Sequence, residues 1–132
     1  MVQNPKRTIL IVEDNPLNMK LASDLLEFGG FQVLKTTSGE GALEALKTLI
    51  PDLILLDLRL PGMSGFDVLK KIKEAQPAHS IPIVAMTAQG MREERKKIME
   101  AGFDAYILKP FDTVNFVKQV AAVVQGEVRH TP

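Results

Sequence analysis

The sequence predicts a doubly wound α/β domain, a five-stranded parallel sheet with helices on both faces, and three observations lead there. Five short runs rich in Ile, Val and Leu, at residues 8–12, 31–36, 52–56, 81–86 and 105–108, are apolar on both faces, as strands covered above and below must be. Longer segments with apolar residues three and four apart lie between them, so strand and helix patterns alternate five times. Length agrees: the chain has 132 residues, and five strands, five helices and nine loops of ordinary length sum to roughly 130.

The helices follow in order. Leu17, Leu21, Leu25 and Phe28 mark one face of the first, with Asn15 as N-cap, Pro16 at the first helical position, and Gly29 and Gly30 to end it. Ala42, Leu43, Leu46, Leu49 and Ile50 mark a second, closed by Pro51. Phe66, Leu69 and Ile72 mark a third; Ser64 caps it, with Asp67 in capping-box position. The fourth has few anchors. Residues 92–97 are consecutive charges, read as a solvated face rather than an anion site, and only Met91, Ile98, Met99 and Ala101 offer apolar contact. Val117, Val120, Ala121 and Val124 mark a fifth, with Asp112 as its cap. One domain over residues 8–125 is expected, between polar tails at 1–7 and 126–132.

Composition excludes several classes of function. Lys plus Arg and Asp plus Glu each number 16, so the net charge is 16 − 16 = 0. Such a chain has no electrostatic footprint for nucleic acid or an anionic membrane. No cysteine is present, which removes disulfide scaffolds, zinc fingers and thiol nucleophiles. The early apolar run stops at Glu13 and Asp14, too short for a signal peptide or a membrane span, so a cytoplasmic location is expected.

In an open parallel sheet, ligands bind beyond the carboxyl ends of the strands. Glu13 and Asp14 follow the first strand, Asp57 the third, Thr87 the fourth and Lys109 the fifth. Each alone has an ordinary explanation: an aspartate at a strand end commonly caps a helix, a threonine is a common strand residue, and a lysine snorkels. Clustered carboxylates repel, however, and make physical sense only with a counter-charge. Lys109 supplies one positive charge; a hard divalent cation, best magnesium, supplies the rest.

Five stretches, Ile9-Leu-Ile-Val-Glu-Asp14, Asp52-Leu-Ile-Leu-Leu-Asp57, Leu60-Pro-Gly-Met-Ser-Gly65, Val84-Ala-Met-Thr-Ala88 and Ala105-Tyr-Ile-Leu-Lys-Pro110, give the chain a strong resemblance to the receiver domains of bacterial two-component response regulators, of CheY-like single-domain type. The resemblance spans nearly all of the chain. It implies the flavodoxin-like strand order 2-1-3-4-5 and phosphoryl transfer to Asp57 from a sensor histidine kinase or a histidine phosphotransfer protein. It further implies magnesium held by Asp14, Asp57 and the backbone carbonyl of Arg59, with Glu13 acting through water. Lys109, the Thr87 hydroxyl and the Ala88 backbone N–H would hold the phosphoryl oxygens, and Pro110 would aim Lys109. Thr87 and Tyr106 would form the switch, read out by a downstream effector protein on the face of helix four, strand five and helix five. Arg59 and Gln89 stand where the family tunes phosphoryl lifetime. A monomer or a weak phosphorylation-dependent dimer is expected, with no catalysis beyond its own phosphorylation and dephosphorylation.

A receiver module of a hybrid sensor kinase or a multidomain regulator would carry the same residues and is the close second reading. Readings of other classes fit less well. A dehalogenase-type aspartyl-phosphate phosphatase needs Asp-x-Asp-x-Thr after the first strand, where this chain has Glu13-Asp14-Asn15-Pro16-Leu17. Flavin binding fails on charge, because Asp14 occupies the phosphate position. A degenerate receiver would lack part of the set that is intact here. His79 and His130 are read as solvent-exposed, not as relay histidines.

Overall fold

The structure, a computed structural model, describes residues 6–75, 81–88, 92–109 and 111–126. His79, Gln89, Met91, Pro110 and His130 lie outside those residues. Strand and helix alternate throughout: β1 (Thr8–Val12), α1 (Pro16–Phe28), β2 (Gln32–Thr36), α2 (Gly39–Ala45), β3 (Leu53–Asp57), α3 (Gly65–Ala75), β4 (Ile83–Thr87), α4 (Arg92–Ala101), β5 (Ala105–Leu108) and α5 (Phe116–Val124). All strand pairs are parallel and the sheet order is β2-β1-β3-β4-β5.

Side chains alternate across a strand, so each apolar run feeds two cores. Ile9, Ile11, Leu53, Leu55, Val84, Met86, Ala105 and Ile107 pack on one face with Met19, Ala22 and Leu26 of α1 and Phe116, Val120 and Val123 of α5. Leu10, Val12, Ile54, Leu56, Ile83, Ala85 and Tyr106 pack on the other with residues of α2, α3 and α4. The continuous apolar sequence of β1 and β3 therefore reflects burial on both sides.

Two aspartates set the opposite edge of the sheet. Asp52 precedes β3 and its Oδ2 accepts the Thr8 N–H at 2.7 Å, while its own N–H donates to Thr8 O at 2.8 Å. Asp104 precedes β5 and makes the same reciprocal pair with Ile83, at 2.8 and 2.9 Å. These rings pair backbone groups that lie beyond the end of the ladder.

Several elements differ from the sequence reading. In α1 the buried face is Met19, Ala22, Ser23 and Leu26. Leu21 and Leu25 only flank it, and Leu17 and Phe28 are 79% and 94% exposed. The small Ala22 and Ser23 let the helix approach the sheet, and Ser23 Oγ satisfies itself on Lys20 O at 3.2 Å. Helix α2 ends at Ala45 instead of reaching Ile50, because Lys47 and Thr48 tighten to i→i−3 bonds on Glu44 and Ala45. Strand β2 is an edge strand with Gln32 and Lys35 exposed, not apolar on both faces. Asp112 does not cap α5 directly. It accepts from the N–H groups of Val114 and Asn115, closing the turn before the helix.

Candidate functional site

Because β1, β3, β4 and β5 are neighbours, whatever follows each of them gathers at one edge of the sheet. Asp57 and Thr87 are the last ladder residues of their strands, paired with Met86 and Leu108. The sequence placed them just beyond the strand ends; the ladder includes them, which fixes their backbones. Glu13 and Asp14 follow β1 directly, and Lys109 follows β5 with its N–H on Thr87 O at 2.8 Å.

Lys109 is the hub. Its Nζ lies 2.6 Å from Glu13 Oε1 and donates a hydrogen bond to Asp57 Oδ2 at 2.9 Å. The remaining carboxylate oxygens take backbone donors: Asn15 N–H to Glu13 Oε2 at 3.1 Å, and Arg59 N–H to Asp57 Oδ1 at 3.0 Å. Glu13 is 1% exposed and Asp57 5%. Glu13 Oε1 makes its close ion contact without hydrogen-bond alignment, leaving a buried oxygen with spare acceptor capacity. Burial, then the neighbouring Asp57, push the Glu13 carboxyl up to about 7, against the opposing pull of Lys109 and the Asn15 N–H. Burial draws the Lys109 ammonium down, but its bonds to Glu13 and Asp57 more than offset this, and the net shift is upward.

Asp14 is exposed and completes an acidic group: Glu13, Asp14 and Asp57 each offer one carboxylate oxygen, all within 4.8 Å of one another. The donor set is all hard oxygen, which suits magnesium or calcium and not a soft metal. Three carboxylates face one ammonium, so the pocket carries an unbalanced negative charge.

Arg59 and Ala88 are exposed beside Asp57 and Thr87. Tyr106 is buried on β5 opposite Ala85, on the sheet face that holds Ile98 and Phe103. By strand alternation Thr87 shares that face, one strand away from Tyr106.

One site residue was missed as such. A Cβ on Gly65, the first residue of α3, would stand 2.6 Å from Asp57 O and 2.7 Å from Leu58 Cα. The Gly65 N–H also donates to Leu58 O at 3.0 Å. Its signal in the sequence is the stretch Leu60-Pro-Gly-Met-Ser-Gly65, whose spacing does not say what the glycine touches. Gly65→Ala is expected to force the loop after Asp57 outward and cost about 1–3 kcal/mol of stability, measurable as a lower urea midpoint at unchanged m-value.

The topology, with these side chains gathered at the sheet's carboxyl edge, is that of a receiver domain. A family model described as response regulator receiver domain matches residues 9–121, and the chain belongs to that family. Among its relatives is the polar-differentiation response regulator DivK of Brucella ovis, 40% identical over 114 residues, which span 86% of this chain and 93% of the relative. A putative response regulator from Chloroflexus aurantiacus superposes with a TM-score of 0.86 at 30% identity, covering 92% of this chain and 99% of that one. The receiver domain of a sensor histidine kinase from Pseudomonas aeruginosa, which has a magnesium ion coordinated in its active site cleft, gives a TM-score of 0.79 at 29% identity, covering 92% and 97%. Among the described residues no helix is long and apolar enough to cross a membrane.

Proposed function

We propose that this receiver, taken as residues 8–125, accepts a phosphoryl group on Asp57 from the phosphohistidine of a sensor histidine kinase or phosphotransfer protein. The observation that carries this reading is the Lys109 ammonium bridging Glu13 and Asp57 at the end of β3. A carboxylate in its ionised form is itself a nucleophile and needs no general base to attack. An Asp57 oxygen would form the new P–O bond while the P–N bond to the donor imidazole breaks, its electron pair staying on nitrogen. Lys109 would then turn from the carboxylate to a phosphoryl oxygen, with the Thr87 hydroxyl and Ala88 N–H on the others.

A divalent cation, best magnesium, fits the acidic group, since the three hard-oxygen donors and the spare acceptor capacity of Glu13 Oε1 ask for one more positive charge. Asp14, Asp57 and the Arg59 carbonyl would hold it, with Glu13 acting through water, and when bound it would cancel the repulsion between acceptor and phosphoryl group. Signalling would follow from Thr87 turning toward the phosphoryl group and Tyr106 taking the space it leaves. A downstream effector protein would read the face of α4, β5 and α5. In this reading the protein is cytoplasmic, a monomer or weak phosphorylation-dependent dimer, without nucleic acid or membrane partners and without catalysis beyond its own phosphorylation and dephosphorylation. A receiver module of a hybrid sensor kinase would do the same chemistry, a second reading supported by the Pseudomonas likeness.

Intact-mass spectrometry after incubation with magnesium and acetyl phosphate tests the acceptor. The wild type is expected to gain one phosphoryl mass and Asp57→Asn none. A wild type that gains nothing and also fails to bind beryllofluoride would end this reading.

A further inference from the structure

Among the described residues, the packing of helix α4 is concentrated at its carboxyl end. None of residues 92–97 is buried, and Ile98 is the single buried residue of the helix. Met99 packs beside Ile98 on the same core, and the further described contacts lie just past the carboxyl end. The Lys73 ammonium of α3 donates to Gly102 O at 2.9 Å, a cation placed against the carbonyl end of α4. Phe103, 2% exposed, meets Phe66 of α3 edge-on, with ring centroids 5.8 Å apart and planes at 77°. Phe103 N–H reaches back to Ile98 O at 3.4 Å, and Gly102 N–H to Met99 O at 3.2 Å. Alongside, the seam between α3 and α4 is open: Phe66, Leu69, Lys70, Lys73, Glu74 and Ala101 line a cavity of about 440 Å³. Gly102 has φ +107°, a backbone conformation that favours glycine, and a Cβ there would stand 2.8 Å from Lys73 Nζ, so a side chain would crowd the lysine beside the carbonyl.

We infer that Lys73, through its bond to the Gly102 carbonyl beside the Phe66–Phe103 pair, is a positioning residue that fixes the carboxyl end of α4, so that this helix moves by pivoting about Gly102. The inference rests on the proposed receiver function, which makes α4 part of a switching surface. The unburied end of the helix is the one nearer in sequence to Thr87, where the phosphoryl group would act. A local change there tilts a lever whose far end is tied to α3. Cutting the tie frees the far end, and α4 then loosens along its whole length.

Hydrogen exchange read by mass spectrometry tests this on the full chain, with and without magnesium and beryllofluoride. In the wild type the ligand should change exchange over residues 92–97 and leave 98–103 nearly unchanged. Lys73→Met, at an exposed position, should speed exchange over 98–103 about fivefold even without ligand, the loss of one solvent-exposed hydrogen bond. The ligand response should then spread into 98–103. Lys73→Arg keeps a donor and should restore the wild-type pattern, which a merely packing role for the side chain would not require. Unchanged exchange over 98–103 in Lys73→Met overturns the inference. So does a wild-type response as large at 98–103 as at 92–97. A wild type that gains no phosphoryl mass from acetyl phosphate and also fails to bind beryllofluoride overturns the phosphoacceptor reading itself, and the two failures are thereby told apart.

Discussion

Lys109→Met is expected to lose about 3–5 kcal/mol of stability at pH 8 in chelator, the cost of leaving buried carboxylates without their cation. The size follows from where the partners sit. Glu13 and Asp57 are almost wholly inside the protein, and Lys109 is the ammonium within ion-pair reach of both. Removing it leaves Asp57 with the Arg59 N–H and Glu13 with the Asn15 N–H, neither of which carries a full charge. The loss should shrink to roughly half at pH 5.5, because Glu13 escapes the repulsion by taking a proton. Urea unfolding at the two pH values reads both numbers. Equal losses at pH 5.5 and pH 8 would mean that the methylene stem of Lys109 matters and its charge does not. The upward shift of Lys109 itself acts in a separate window. Its stabilisation is complete below the ordinary lysine value of 10.5 and fades only as pH rises through the higher folded value.

The fold was legible because a buried parallel sheet writes itself plainly. Runs such as Ile9–Val12 and Leu53–Leu56 are apolar at every position only when helices cover both faces. Strand ends were harder. Asp57 and Thr87 look like loop residues by polarity, yet the ladder pairs them, and polarity cannot see a hydrogen bond to the next strand. The α1 face was misjudged for a related reason. Counting large apolar residues favours Leu17 and Phe28, whereas helix-to-sheet contact selects small residues such as Ala22 and Ser23. At the site, residue types and spacing brought Glu13, Asp14, Asp57, Thr87 and Lys109 to one edge. What they left out was how the charge divides: Glu13 and Asp57 buried on the lysine, Asp14 exposed. That division depends on side-chain direction after the strand ends, which no one-dimensional pattern records. Gly65 and Lys73 act on backbone atoms brought near by the fold, and a contact of that kind has no periodicity to detect.

Metal-free wild type is expected to lose about 2–3 kcal/mol of stability between pH 5 and pH 8 through Glu13, since each unit of pKa shift is worth about 1.4 kcal/mol. Glu13 titrates near 4.5 when exposed and near 7 when folded. Between those values the folded state holds a proton that the unfolded state has released, so stability falls as pH rises across the window and levels off above about 7. This is opposite to the usual carboxylate, whose pairing makes proteins less stable in acid. Asp57→Asn removes the second-largest cause of the shift, so the variant should slope less and melt higher than wild type in chelator at pH 8. Magnesium, bound as proposed, competes with that proton. It should therefore stabilise the wild type far more at pH 8 than at pH 5, by about 2.7 kcal/mol at a hundred times its Kd. Thermal melts in chelator and in magnesium across the range read both effects together. A chelator curve that is flat from pH 5 to 8 would show Glu13 ionised throughout, with Lys109 outweighing burial. A falling curve that magnesium leaves unchanged would keep the buried acid and remove the metal from it. Only a fall in chelator that magnesium flattens joins the raised carboxyl and the cation at one site, because the same acidic group then answers to either a proton on Glu13 or a metal beside it.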